Sequence, residues 1–289
     1  MGRWLVWFGL FGCLWASALA DELVFDHSNW QTVLDRYLHS GQTIRGVNET
    51  AFDYQGLRRN MDVEFTSYLT SLAEISALGN YSLDEQWAIL INTYNAWAVN
   101  MVVTHPDKLR LGKLVWPIRS IRDISGFFKA VWNLPAGTFA GEVMTLTEIE
   151  DKIRGMGDPR IHACIVCASV SCPDLQPIAF TGPAIEAQKN HSMEQFLANT
   201  GKGLYLDEEA NIMYVSSIFL WFALDFENDT CPCLNNNNPF GSVENFILTF
   251  APLSVQTYVA INKPTPLLYF AYDWHLNALS SSHPPTSFW

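Results

Sequence analysis

The chain has 289 residues and carries 29 Asp and Glu against 17 Lys and Arg, a formal net charge of −12 at pH 7. So acidic a balance argues against nucleic acid or an anionic membrane as partner. Aromatic residues make up 13% of the chain and low complexity is confined to Asn235–Asn238, which excludes a disordered chain and predicts a well-filled core.

Met1 to Ala20 reads as a signal peptide: Arg3, an apolar core from Trp4 to Trp15, then Ala18-Leu19-Ala20. Cleavage after Ala20 predicts a secreted or periplasmic protein; retention of the segment would leave an N-terminal membrane anchor. A lipid anchor at Cys13 fits less well, because bulky Phe11 sits in the signal. No later stretch is long and apolar enough to span a bilayer, so no integral membrane segment is expected in the mature chain. Export makes oxidation possible for the five cysteines that remain: Cys164, Cys167, Cys172, Cys231 and Cys233. An odd number leaves at least one free within a chain. Asn48, Asn80, Asn190 and Asn228 head Asn-x-Ser/Thr triplets, which matter only in a eukaryotic secretory pathway.

The spacing predicts an amphipathic helix from Asp26 to His39 and a second from Asn60 to Ala77. Ser82-Leu83-Asp84-Glu85 is a capping-box signature and opens the strongest helix, Leu83 to Thr104, which stops before His105-Pro106. Apolar residues cover most of its circumference, so it is expected to be central. Yet it carries Asn92 and Asn95, three apart on one face. A buried amide must be bonded. These two either tie down a loop or line a site.

Val131 to Thr145 reads as a hairpin around Pro135-Ala136-Gly137. Thr147 to Glu150 suggests a capping box for a short helix to Arg154. Pro183 to Asn199 is expected to be helical. Leu204–Leu206 and Ile212–Val215 form a hairpin, and Ser216 or Ser217 caps a helix to about Asp225. Short helices fit Val243–Phe250 and Ser254–Ile261, and Leu267 to Tyr272 a last strand. The expected class is α+β: one helix-rich domain, residues 25–280, around a small β-sheet, with a long central buried helix and a flexible tail, 281–289.

The densest chemistry lies in Asp158 to Pro173, DPRIHACIVCASVSCP. Ile161 to Ala168 reads as a buried strand after the Asp-Pro turn signal. Strand alternation would put Cys164 and Cys167 on opposite faces, which argues against a zinc knuckle or a redox CxxC. Ser169, Ser171 and Pro173 are turn residues, so Cys167 and Cys172 could fold back within bridging distance.

These pieces in order resemble the "domain of unknown function 547" family. They are Trp87 and Ile91-Asn92-Thr93-Tyr94-Asn95-Ala96, then Leu146 with Ile149-Glu150, then Asp158-Pro159-Arg160-Ile161-His162. Val166-Cys167-Ala168-Ser169-Val170-Ser171-Cys172-Pro173 follows, and Tyr272-Asp273-Trp274 with Leu276-Asn277 closes the series. The resemblance covers roughly residues 60–277. It implies a shared fold and a polar site rather than a stated chemistry. Two departures stand out: Cys164 where the family pattern implies an ordinary apolar residue, and Asp151 where it implies a histidine.

Two readings follow. The first is a non-catalytic exported binding or structural module with a Cys167–Cys172 disulfide. Its Asn92, Asn95, Arg160 and Ser169 would bind or brace, and its partner would be a small molecule or a protein. The second is a thiol-dependent hydrolase or acyl transferase using Cys172 or Cys167, with His162 as base and Glu150 or an Asn to orient it. A metal or thiol–disulfide role for His162, Cys164, Cys167 and Cys172 ranks behind both. No cofactor or metal is expected.

Overall fold

The computed structural model describes residues 23–279 except 61, 106–107, 111–112, 116–117, 125–129, 228–241 and 263–266. The expected signal peptide, the tail 281–289, Asn228, Cys231 and Cys233 lie outside the described residues.

Helix α1 (Ser28–Tyr37) buries Trp30, Val33, Leu34 and Tyr37. A hairpin follows, β1 (Leu38–Ile44) against β2 (Val47–Phe52), turning at Arg45-Gly46, both at positive φ. Next come α2 (Tyr54–Asn60) and α3 (Val63–Ala73), the latter capped by Asp62, whose carboxylate accepts the Phe65 N–H. The expected helix over 60–77 is therefore shorter, held between an Asx cap and the turn after Glu74.

Helix α4 (Leu83–Thr104) is the centre of the molecule. Ser82 Oγ accepts the Glu85 N–H, and Asp84 and Glu85 sit in the first turn, where the helix dipole favours negative charge. Most of its 22 residues are buried. Each fully buried Leu or Ile contributes about 1.5–3 kcal/mol, so this helix dominates the hydrophobic stabilisation of its half of the molecule. It packs on α2 and on elements that follow it.

β3 (Lys108–Arg110) and β4 (Lys113–Val115) form a short antiparallel pair. β5 (Pro135–Phe139) pairs with β6 (Glu142–Thr145). The turn lies at Ala140-Gly141, both at positive φ, and Pro135-Ala136-Gly137 belongs to the first strand. Two consecutive left-handed residues match the twist of a two-residue hairpin, which the Pro-Ala-Gly signal does not. Helix α5 (Leu146–Arg154) is opened by a capping box at Thr145 and Glu148, two residues before the expected one. That shift puts Ile149 and Ile153 inward and brings Glu150 and Arg154 onto one face.

The expected strand over Ile161–Ala168 is a 3₁₀ turn at Pro159–Ala163, then irregular chain. Asp158 caps the turn by accepting the Arg160 N–H, and Pro159 presets its first φ. The argument from strand parity therefore fails. The run is apolar because it is buried among helices, not because it is laddered.

Helix α6 (Ile185–Ala198) leads to β7 (Leu204–Asp207) and β8 (Ile212–Val215), an antiparallel pair. The expected helix to Asp225 is two helices, α7 (Ile218–Trp221) and α8 (Ala223–Glu227), broken at Phe222. After α9 (Val243–Phe250) and α10 (Leu253–Asn262), β9 (Leu267–Tyr269) joins β8 in parallel, with Tyr214 opposite Leu268. The fold is thus α+β, its sheets being of two or three strands. One apolar cluster surrounds α4; a second gathers Phe196, Phe219, Phe226 and Phe246 around α6 and α9. Among the described residues, no helix is long and apolar enough to cross a membrane.

Candidate functional site

Two amides on α4 set the site. Asn95 Oδ1 accepts the Val166 N–H at 2.8 Å, and its Nδ2 donates to the Cys164 carbonyl at 2.9 Å. Asn92 accepts the Phe180 N–H at 3.1 Å and donates to the Phe180 carbonyl at 2.8 Å. Each amide acts as a one-residue strand neighbour for backbone that has no ladder. Of the two expectations for these residues, they take the first: they tie down the chain before and after the cysteine loop. The loop itself is sewn to the C-terminal segment. The Val170 N–H donates to the His275 carbonyl, the Ser171 N–H to Asp273 and the Asn277 N–H to Ala168.

Within that loop Cys167 and Cys172 form a disulfide. Cys172 is buried, at 2% exposure, and Cys167 is half-buried. Three donors converge on the Cys172 sulfur: the Cys167 N–H at 3.1 Å, Ser169 Oγ at 3.3 Å and the Tyr272 hydroxyl at 3.2 Å. Burial pushes the Tyr272 phenol up, so it stays a donor. Cys164 is free and buried, and burial pushes its thiol up to about 12. Its thiol donates to the Arg160 carbonyl at 3.4 Å.

The disulfide faces a cleft of about 410 Å³ lined by α5, the 3₁₀ turn, α7, Phe222 and the 272–274 segment. Its outer wall is aromatic. Tyr272 and Trp274 ring centres lie 4.4 Å apart, Trp221 stacks on Trp274 at 5.7 Å, and Trp132 meets Trp274 edge-on at 5.4 Å. The Arg122 guanidinium lies 5.1 Å from the centre of the Trp274 ring.

Opposite stands a polar row. Glu150 is pushed up to about 7 by burial, against the pull of Arg154 and the Tyr94 hydroxyl. Arg154 grips Asp225 through two nitrogens, at 2.6 and 2.9 Å. His162 Nε2 lies 2.8 Å from the same carboxylate. Asp225 is held well below the usual range; burial opposes this, but the His162 and Arg154 bonds outweigh it. Burial lowers His162, whose ring stacks on Phe222 at 4.3 Å. The consistent assignment is an ionised Asp225 accepting from a neutral His162 with its proton on Nε2.

The cleft thus brings together Glu150, His162, Cys167 and Cys172, with Ser169 behind the disulfide. Asn92 and Asn95 stand behind the loop as braces. Arg160 does not reach the cleft. It is buried with Asp158 and Lys189, bonds Asn190 at 2.6 Å and Glu186 at 2.7 Å, and Lys189 closes the group on Asp158 at 2.7 Å. Among the described residues no hydrogen bond joins His162 to either sulfur. Sequence reasoning did not pick out Arg154, Asp225, Tyr94, Trp132, Trp221, Tyr272 or Trp274 as site residues. The four-residue spacing of Glu150 and Arg154 was a usable signal for one of them.

Residues 78–197 match the model of the family described as "Protein of unknown function, DUF547". That span holds α4, α5, the 3₁₀ turn and both bonded cysteines; Asp225 and Tyr272-Asp273-Trp274 lie beyond it. Nothing matches the chain among curated proteins or among solved structures. The match over residues 78–197 is to the family that the ordered motifs of the sequence led us to expect.

Proposed function

We propose that this is a binding module whose cleft takes a small molecule with a flat apolar body and one hydrogen-bonding head. The observation that carries the reading is the pairing of the Trp132–Trp274–Trp221–Tyr272 wall with Glu150 across about 410 Å³. Such a cleft, mostly apolar with a few convergent polar groups, is the usual form of a ligand site. Glu150 is the head's partner: near neutral pH it both donates and accepts. The hydrolase alternative needs a free thiol beside a base. Here the two sulfurs are bonded to each other, and His162 Nε2 is engaged by the Asp225 carboxylate at 2.8 Å. The reading includes export, with Met1–Ala20 removed, supported by the sequence of that segment.

The test is titration of the native protein with the neutral fluorophore N-phenyl-1-naphthylamine, followed by displacement with a small-molecule library. Binding is expected to weaken about tenfold in Trp221→Ala, since losing one aromatic contact face removes on the order of 1.5 kcal/mol. Library hits are expected to lose affinity in Glu150→Gln. A probe that binds both variants like the wild type would overturn the reading.

A further inference from the structure

Disulfide sulfurs are weak hydrogen-bond acceptors, and a purely structural bridge has little use for several donors. Yet three donors reach Cys172 Sγ, two from the loop and one from the C-terminal segment; Ser169 Oγ and the Tyr272 hydroxyl also lie 3.4 and 3.5 Å from Cys167 Sγ, a little farther than from Cys172. The Cys167 N–H is fixed by the loop. Ser169 Oγ is set by the bridge between Ser169 and Leu276. The Tyr272 hydroxyl arrives from the C-terminal segment. The same arrangement around a thiolate would be strong, because a charged acceptor roughly doubles the strength of each bond. The donors therefore favour the reduced state over the bonded one, and the Cys167 N–H, with the shorter approach of both hydroxyls, places the charge on Cys172. Access runs the other way. Cys172 is 2% exposed, while Cys167 is half-buried and on the cleft.

We infer that the Cys167–Cys172 bond is a thiol–disulfide exchange centre, at which a small-molecule thiol entering the cleft attacks Cys167 and expels Cys172 as a thiolate into the three-donor cradle. The incoming thiolate forms a sulfur–sulfur bond to Cys167 as the Cys167–Cys172 bond breaks, and the electron pair leaves on Cys172. A second thiolate then attacks the small-molecule sulfur of the mixed disulfide and releases a free disulfide and the Cys167 thiolate. Two thiols lose their protons to solvent and are oxidised, and the protein pair is reduced by two electrons. Read backwards, the reduced pair reduces a small disulfide. A leaving group that is already stabilised departs faster, which is why the choice of sulfur matters. The inference needs the cleft to admit a thiol; it does not need the ligand reading above, which displacement of the fluorophore tests separately.

The experiment equilibrates the folded full-length protein in glutathione redox buffers, quenches with acid, alkylates and maps both cysteines by mass spectrometry, with tryptophan fluorescence reporting the fold. The pair is expected to be reduced by glutathione while the protein stays folded. Tyr272→Phe and Ser169→Ala are each expected to move the equilibrium about tenfold toward the disulfide, the scale of one bond to a charged acceptor. Ser169→Thr is expected to restore it. In Cys172→Ser, glutathione disulfide is expected to form a mixed disulfide on Cys167. In the reduced wild type, alkylation of Cys172 is expected to be half-maximal below the free-thiol value of about 8.5, and to move up in either donor variant. Reduction only on unfolding, or an equilibrium that neither donor variant moves, would overturn the inference. Should Tyr272→Phe not fold, Ser169→Ala and its threonine rescue carry the test alone.

Discussion

Arg160 and His162 sit two residues apart on the same 3₁₀ turn, and both are buried and bonded to carboxylates. Their surroundings differ. Around Arg160 the set is closed: Asp158 is buried at 3% exposure, and Arg160 and Lys189 share it while Glu186 and Asn190 take the remaining donors. Around His162 the set is open. Asp225 and Arg154 are only partly buried, and the row ends at Glu150, which faces the cleft and takes up its proton near neutral pH. Burial of a charged or titratable side chain therefore does not mark a site here. What marks it is incomplete compensation on a face that a ligand can reach.

The closed set is expected to break hardest. Asp158→Ala would leave the buried Arg160 and Lys189 with only the half-exposed Glu186 as shared anion and remove the cap of the 3₁₀ turn. Breaking a buried pair from one side typically destabilises by about 3–5 kcal/mol. Urea unfolding of the variant is expected to show a loss in that range. A loss under about 1 kcal/mol, the scale of an exposed pair, would erase the contrast between the two sets.

Next in size is the brace between them. Asn95→Leu would fill similar space but strand the Cys164 carbonyl and the Val166 N–H. Two buried backbone groups without partners imply a loss of about 2–3 kcal/mol. Hydrogen exchange at Val166 is expected to accelerate well beyond the global change in stability, because the loop loosens before the helix does. Equal protection at Val166 in both proteins would show that the loop does not depend on that amide.

The sequence made part of this legible and hid part of it, for physical reasons. The central helix was readable because Ser82, an apolar run over most faces and a proline stop all agree. The bracing role of Asn92 and Asn95 was one of two outcomes that buried amides allow. Their positions on one helix face could be read; the loops they hold could not. The 3₁₀ turn was misread as a strand because a short apolar run with no period looks the same in either form when both sides are buried. Only the Asp158 cap distinguishes them. Asp225 was out of reach because it lies 63 residues from His162, and only tertiary packing joins them. The break at Phe222 that aims it carries no glycine or proline to announce it. The aromatic wall was visible as residues, two of them inside a family motif, but not as a wall.

The smallest effect separates the two sets by the sign of their response to pH. Asp158 is held below its ordinary value by Arg160 and Lys189, against burial. Its contribution is present above the unfolded value near 3.9 and is lost as pH falls through the lower folded one. Glu150 runs the other way. Its folded value rises from 4.5 to about 7, so the native state holds a proton that the unfolded chain has released. Its contribution is full below about 4.5 and is lost as pH rises to about 7. Glu150→Gln removes that loss. The variant is expected to match the wild type near pH 4.5 and to gain on it steadily up to about pH 7.5, by about 1–2 kcal/mol once solvent screening at a partly exposed group is allowed for. Urea midpoints for both proteins across that range measure it. A difference that stays constant with pH would mean that Glu150 is ionised in the folded protein throughout, and that the cleft is as fully compensated as the Asp158 set.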